Sequence, residues 1–349
     1  MSRSLAGDAS IEALRTVTSS FEGAEERQGQ IDMAHAIAET LAAGRSIIVQ
    51  AGTGTGKSLG YLVPALLNGK KTVVATATKA LQDQLNRNDL PLLSKHLGID
   101  FSWAVIKGRN NYVCRQRINE LSETAGQLEF EEVSGPTKRE IETILKWAGK
   151  TRTGDFEELP RVPSERARIA VSVSSDECPG KQKCPVGNDC FAEKARDAAA
   201  AADVIVVNLH IYGLHIASGG SLLPEHEVVI FDEAHQLESV MSDTVGVQLA
   251  AGRFTSLASA VRKVIADPTV TSALESQGVR LTQALTPMFG QRLSNPMPTS
   301  VTEPLALARI EINAILGALR GITTDNESTQ QKSYRAQTQA TRLAEALDL

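Results

Sequence analysis

The sequence predicts an α/β fold: a parallel sheet covered on both faces by helices, interrupted by one insertion and followed by an all-helical segment. Three observations carry this. Short runs that are apolar throughout alternate with helical patterns over residues 27–113 and 191–240, and strands of that kind belong to sheets buried on both sides. A glycine-rich loop lies between the first apolar run and the first helix. No strand pattern is visible beyond residue 240, where helical spacing takes over.

The elements follow in order. Residues 1–26 read as a leader with one short helix through Ile11, Leu14 and Val17. Ile47-Ile48-Val49 is a β-branched run ahead of the loop, and the helix behind the loop covers Lys57 to Leu67, bent at Pro64. Thr72–Ala75, Ser102–Ile106, Val204–Val207 and Val228–Phe231 are the further strands, with a helix around Leu81 and Leu85. Residues 114–190 are charged, lack clear strands and form the insertion. In residues 241–349, Leu305, Ala308, Ile312, Ile315, Leu316, Leu319 and Ile322 keep helical spacing, as do Leu257, Val261, Val264 and Ile265 before Pro268.

Composition narrows the class. With 42% hydrophobic and 22% charged residues the 349-residue chain can bury the cores of two or three domains. A net charge of −5 does not announce a nucleic-acid binder, although a local groove can be basic on an acidic protein. The N-terminus shows no signal-peptide core and no stretch is apolar for about 18 residues, so the expectation is a cytoplasmic protein with no membrane partner. In a reducing compartment the four cysteines are metal ligands or inert core thiols, not disulfides.

Two motifs carry phosphate chemistry. Ala51-Gly52-Thr53-Gly54-Thr55-Gly56-Lys57-Ser58 matches the phosphate-loop pattern except that Ala51 holds the first glycine position. Gly52, Thr53, Gly54, Thr55 and Gly56 would turn backbone amides toward phosphate oxygens, Lys57 would reach the β- and γ-phosphates, and Ser58 would ligate Mg²⁺. The bland alternative is a glycine-rich turn that only ends a strand. About 170 residues later, Val228–Phe231 deliver Asp232-Glu233-Ala234-His235 to the end of a strand. There Asp232 can share the Mg²⁺ with Ser58, Glu233 can orient and deprotonate the attacking water, and His235 can sense the γ-phosphate. An isolated Asp-Glu pair could equally start an exposed helix. ATP and Mg²⁺ are the implied ligands.

All four cysteines, Cys114, Cys178, Cys184 and Cys190, lie between these motifs, with five residues between successive members of the last three. The spacing is not C-x-x-C, which fits a zinc ribbon poorly. An iron–sulfur cluster, a zinc site and four unrelated thiols all remain open on spacing.

With these residues quoted, the chain resembles the DinG/XPD type of iron–sulfur superfamily-two DNA helicases, and most closely its bacterial DinG branch. Arg27-Gln28-Gly29-Gln30 with Met33 resembles the adenine-reading segment, making Gln30 a nucleotide contact. Ala75–Leu85 resembles the motif that touches a DNA strand, Lys107–Cys114 the entry to the cluster, and Ala202–Asn208 the strand before the DEAH box. The resemblance implies a RecA-like P-loop domain over 27–113 and 191–240, and a [4Fe–4S] cluster on the four cysteines in an inserted subdomain over 114–190, with Pro179 and Pro185 stiffening the loop. Residues 241–349 then correspond to an incomplete helical arch-like domain. It implies ATP-dependent 5′→3′ translocation on single-stranded or forked DNA by a monomer, with Lys79, Lys107, Arg109 and Tyr112 as candidate DNA contacts. No second RecA-like block follows, so the chain reads as the N-terminal half, weakly active alone. The rival readings are a non-catalytic DNA-binding relic and a P-loop ATPase with structural zinc.

Overall fold

The computed structural model describes residues 5–20, 25–52, 54–124, 135–175, 177–245, 249–324 and 326–348. In chain order the elements are α1 (Leu5–Thr18), α2 (Gln28–Ala42), α3 (Lys57–Leu67), β1 (Thr72–Thr76), α4 (Lys79–Gln84), α5 (Leu90–His96) and β2 (Trp103–Val105). Then come α6 (Arg115–Thr124), α7 (Gly135–Ala148), α8 (Glu165–Val171), α9 (Phe191–Ala201), β3 (Val204–Asn208), α10 (Leu209–Ala217), β4 (Val228–Phe231) and α11 (Leu237–Val245). Last are α12 (Ala251–Arg262), α13 (Thr269–Leu285), α14 (Thr299–Arg320) and α15 (Glu327–Leu347). The chain divides into two compact units, residues 1–107 with 194–245, and residues 108–193 with 246–349.

The first unit is an α/β layer structure. Its sheet has the order β2-β3-β1-β4, with every pairing parallel. Along β1, Val74 faces a core built with α1, α2 and α3, while Val73 and Ala75 face a second core with Ile205, Val207, Tyr212 and Leu223. Successive side chains leave a strand on opposite faces, so a stretch covered on both sides is apolar in succession, as Val73–Ala75 of β1 and Val204–Val207 of β3 are. Helix α1 contributes Ile11, Leu14 and Val17 to the first core and is thereby part of this unit.

The Ile47-Ile48-Val49 run departs from the expectation of a strand. Among the described residues it makes no strand pairing, and Ile48 is 97% exposed. Strand chemistry alone does not make a strand, because pairing depends on a partner that no local pattern supplies. Beyond α4 the chain passes through one π-helical turn, Leu85–Asp89, before α5. Turns of this kind insert one residue and re-aim a side chain.

The second unit is helical. Helix α12 packs on α13, α13 on α14, α14 on α15, and α15 back on α12. Phe254, Leu257, Leu274, Ile312, Ile315 and Leu343 are buried at its centre. Helix α14 carries the stripe expected from spacing, and α12 ends at Arg262, short of Val264 and Ile265. In the cysteine-bearing part, Ile141, Ile144, Phe156 and Val171 are buried around α7 and α8.

Candidate functional site

The phosphate loop is shaped by its glycines. Gly54 and Gly56 stand at φ 78° and 77°, in the left-handed region that a side chain disfavours. Gly56 caps α3 and places Lys57 at the first position of that helix, where backbone N–H groups lack intrahelical partners. A Cβ on Gly56 would lie 2.3 Å from Gln30 Nε2, so glycine is also needed for the close approach of Gln30. Gln30 is buried and donates from Nε2 to Gly56 O at 2.8 Å, and Arg27 donates to Gly54 O. Residues ahead of α2 and in its first turn thus hold two loop carbonyls. Gly52 is exposed, Thr55 Oγ1 donates to Gly52 O at 2.9 Å, and Thr53 lies outside the described residues.

The sheet brings the DEAH box to this loop. Lys57 Nζ lies 3.0 Å from Glu233 Oε1, a contact across 176 residues of sequence. Asp232 is buried at the end of β4 and stays oriented by two donors, Tyr61 Oη at 3.0 Å on Oδ2 and the Glu233 N–H at 3.0 Å on Oδ1. Burial pushes the Tyr61 hydroxyl well above the ordinary tyrosine range, with the Asp232 charge adding to it, so Tyr61 remains a proton donor at neutral pH. Glu233 adopts φ 58°, a left-handed conformation uncommon outside glycine, and this aims its carboxylate at Lys57. His235 Nδ1 lies 3.4 Å from the other Glu233 oxygen, Oε2, and its ring is largely exposed.

Asp89 lies beside Ser58. Burial raises the pKa of Asp89, Asp232 adds to the rise, and Ser58 and Gln84 oppose it. Ser58, Asp232 and Asp89 therefore offer oxygen donors only, the set that suits a hard divalent cation. Tyr61 and Asp89 carry no motif signal. Only the fold brings them to the loop.

In the second unit the four cysteines line one pocket together with Arg109, Tyr112, Glu193 and Arg335. Cys114 precedes α6, Cys178 and Cys184 lie in the loop after α8, and Cys190 precedes α9. The loop is folded tightly: Gly187 donates to Cys184 O at 2.9 Å, and a Cβ on Gly187 would meet Lys181 O at 2.0 Å. Burial raises the thiols of Cys114 and Cys184, and each is raised further by two of the other cysteines. Among the described residues, no three or more His, Cys, Asp or Glu side chains converge in metal-ligating geometry. All four donors are soft sulfur and share one pocket, which fits a thiolate-bound metal centre.

The DEAD/DEAH box helicase family matches residues 31–129. The chain is 35% identical to the ATP-dependent helicase DinG of Mycobacterium tuberculosis, over 79% of this chain and 44% of that protein. It is 39% identical to the ATP-dependent DNA helicase YoaA of Escherichia coli K12, over 68% of this chain and 37% of that protein. Over most of its length the chain is thus similar to DinG-type ATP-dependent helicases. It spans less than half the length of these curated relatives. A solved chain described as truncated XPD matches at 13% identity with a TM-score of 0.41, over 89% of this chain and 81% of that one.

The four DNA contacts suggested by the motifs stand in different environments. Lys79 is exposed. Lys107 is buried and lies 3.7 Å from Asp83 Oδ1, Arg109 pairs with Glu193, and Tyr112 is 5% exposed and bridges to Asp155. A stacking platform must present an open ring face to a base, and Tyr112 instead helps to wall the cysteine pocket. His215 is buried, and its Nδ1 accepts from Leu223 N at 3.0 Å. Among the described residues no helix is long and apolar enough to cross a membrane.

Proposed function

We propose that this chain carries the first nucleotide-binding half of an ATP-dependent DNA helicase that moves 5′→3′ on single-stranded or forked DNA. The observation that carries the reading is the 3.0 Å contact between Lys57 and Glu233, which joins the phosphate loop and the DEAH box in one site. Loop amides and the start of α3 would receive the triphosphate, with Lys57 moving from Glu233 onto the β- and γ-phosphates. Glu233, released, would orient the attacking water and take its proton, and His235 would report the γ-phosphate through its contact with Glu233. Ser58 and Asp232 would hold Mg²⁺, whose chemistry when bound is to neutralise charge on the phosphates. Gln30 and Arg27 support the reading by fixing the loop from outside.

The four cysteines would hold a [4Fe–4S] cluster that clasps the segments around Cys114, Cys178, Cys184 and Cys190 into one rigid subdomain, and residues 241–349 would form the arch-like domain. A second RecA-like domain would close the ATP site and supply an arginine finger, so the isolated chain should hydrolyse ATP slowly. The test is Mg²⁺-dependent ATP binding by this chain, lost in Lys57→Ala, together with absorbance near 400 nm from anaerobically purified protein, where Zn²⁺ does not absorb. Full ATP binding by Lys57→Ala sinks the site. DNA-stimulated turnover on the order of tens per second by the chain alone removes the need for a second domain.

A further inference from the structure

Two guanidinium–carboxylate pairs flank the cysteine pocket. One, Arg109 with Glu193, comes from the segments that bear the cysteines. The other does not. Arg335 is carried by α15, more than 130 residues after Cys190, and it lines the same pocket. It is 8% exposed, with Nη1 donating to Glu120 Oε2 at 3.0 Å and Nη2 bonded to Oε1 of the same carboxylate. Glu120 is 6% exposed, takes a further hydrogen bond from Gln116 Nε2 at 3.1 Å, and has Arg117 Nη1 4.0 Å from Oε2.

A buried ion pair gains little stability, because desolvation offsets the Coulombic attraction and an apolar pair of equal volume often does as well. A brace between α6 and α15 alone would not call for charge. Four thiolates around a metal core do. A [4Fe–4S] core with four cysteinates is doubly negative when oxidised and triply negative after accepting one electron, and a buried centre of that charge needs nearby cations.

We propose that Arg335 is a counter-charge of the cysteine-bound centre, a positioning residue delivered by α15, and that Glu120 sets how much of its charge the centre feels. This rests on the cluster reading of the four cysteines. Burial, followed by the neighbouring Arg117, brings Arg335 down to about 10. At neutral pH the guanidinium therefore stays charged. Replacing it by a neutral group removes positive charge beside the centre and disfavours the extra electron. Replacing Glu120 by a neutral amide unmasks Arg335 and favours it. A purely structural brace predicts no such opposition, since loosening either end lets in water in the same way.

The experiment compares the wild-type chain, Arg335→Gln, Arg335→Lys and Glu120→Gln, purified anaerobically. Iron and sulfide content are measured, and the one-electron reduction midpoint is read by absorbance during dithionite titration. Arg335→Gln should make reduction about tenfold less favourable, a midpoint lower by about 59 mV for a one-electron couple. Glu120→Gln should move it upward, and Arg335→Lys should stay closer to wild type than Arg335→Gln does. Midpoints that do not move, or that move the same way in Arg335→Gln and Glu120→Gln, overturn the proposal while leaving the cluster in place. Wild-type protein with no iron or sulfide overturns the cluster reading and this proposal together. If Arg335→Gln fails to retain iron, the upward shift in Glu120→Gln still decides, and its absence overturns the proposal.

Discussion

Replacing Glu233 by glutamine separates the two jobs that the geometry gives this carboxylate. Glu233 Oε1 holds Lys57 Nζ at 3.0 Å, so a triphosphate must displace it before Lys57 can reach the phosphates. The two side chains are 28% and 30% exposed, which places the pair among partly solvated ion pairs and discounts its strength to roughly 0.2–1 kcal/mol. Removing that competitor should tighten Mg²⁺–ATP binding by about 1.4- to 5-fold, since about 1.4 kcal/mol is a factor of ten. The same substitution removes the proton acceptor for the attacking water, and general-base losses run to roughly 10²–10⁴-fold in rate. The expected phenotype is therefore tighter binding with hydrolysis slower by at least two orders of magnitude. A fluorescent-nucleotide titration reads the first effect and single-turnover phosphate release the second. Weaker binding in Glu233→Gln would refute the exchange of Lys57 between carboxylate and phosphate, and unchanged hydrolysis would refute the role of Glu233 in activating water.

Three further outcomes follow from the same coordinates. Gly56→Ala should cost about 1–3 kcal/mol, from a left-handed φ of 77° and a Cβ 2.3 Å from Gln30 Nε2, and adding Gln30→Ala should recover part of it; strictly additive effects in denaturant midpoints would contradict the contact. Asp203 Oδ2 accepts from the Ser102 N–H and hydroxyl, both at 2.8 Å, and these bonds hold its pKa below the ordinary aspartate value. A lowered folded pKa means stability that is present above the unfolded value and lost as pH falls through the folded one, so Asp203→Asn should be less stable than wild type at pH 7 and equal to it in acid; a gap that widens on acidification would show the sign to be wrong. Phe254→Ala, at a fully buried position of the α12–α15 core, should lower the stability of the helical unit by about 3–5 kcal/mol, and a change below about 1 kcal/mol in chemical denaturation would place Phe254 outside that core.

Much of this was legible in the sequence where local pattern and final environment agree. Val73, Val74 and Ala75 are apolar in succession because β1 is covered on both faces, and that coverage writes itself into sequence. The stripe through Ile312, Ile315 and Leu319 is legible for the same reason at helical period. Legibility ends where a residue's partner lies far along the chain. Ile47-Ile48-Val49 has strand chemistry, but strand formation depends on whether an edge is offered, which no local pattern records. Arg109 and Tyr112 suited a nucleic-acid groove by type, and only the fold shows Arg109 paired with Glu193, 84 residues away, and Tyr112 buried. Tyr61, Asp89, Glu120 and Arg335 belong to no motif, and their contacts span long separations, up to 215 residues for Glu120 and Arg335.

The two candidate sites each hold a cation against a carboxylate, and exposure decides what each pair can do. Lys57 and Glu233 retain more than a quarter of their surface in water, so separating them costs little and an incoming polyanion can compete for the lysine. Arg335 and Glu120 have side chains 10% and 7% exposed, and separating them would strand a desolvated charge at a cost of about 3–5 kcal/mol. The first pair can therefore exchange partners in every catalytic cycle. The second cannot, and its guanidinium can act on the cysteine pocket only through its field. An ion pair near the surface serves as an exchangeable latch, whereas the same chemistry in a dry interior serves as a fixed source of potential.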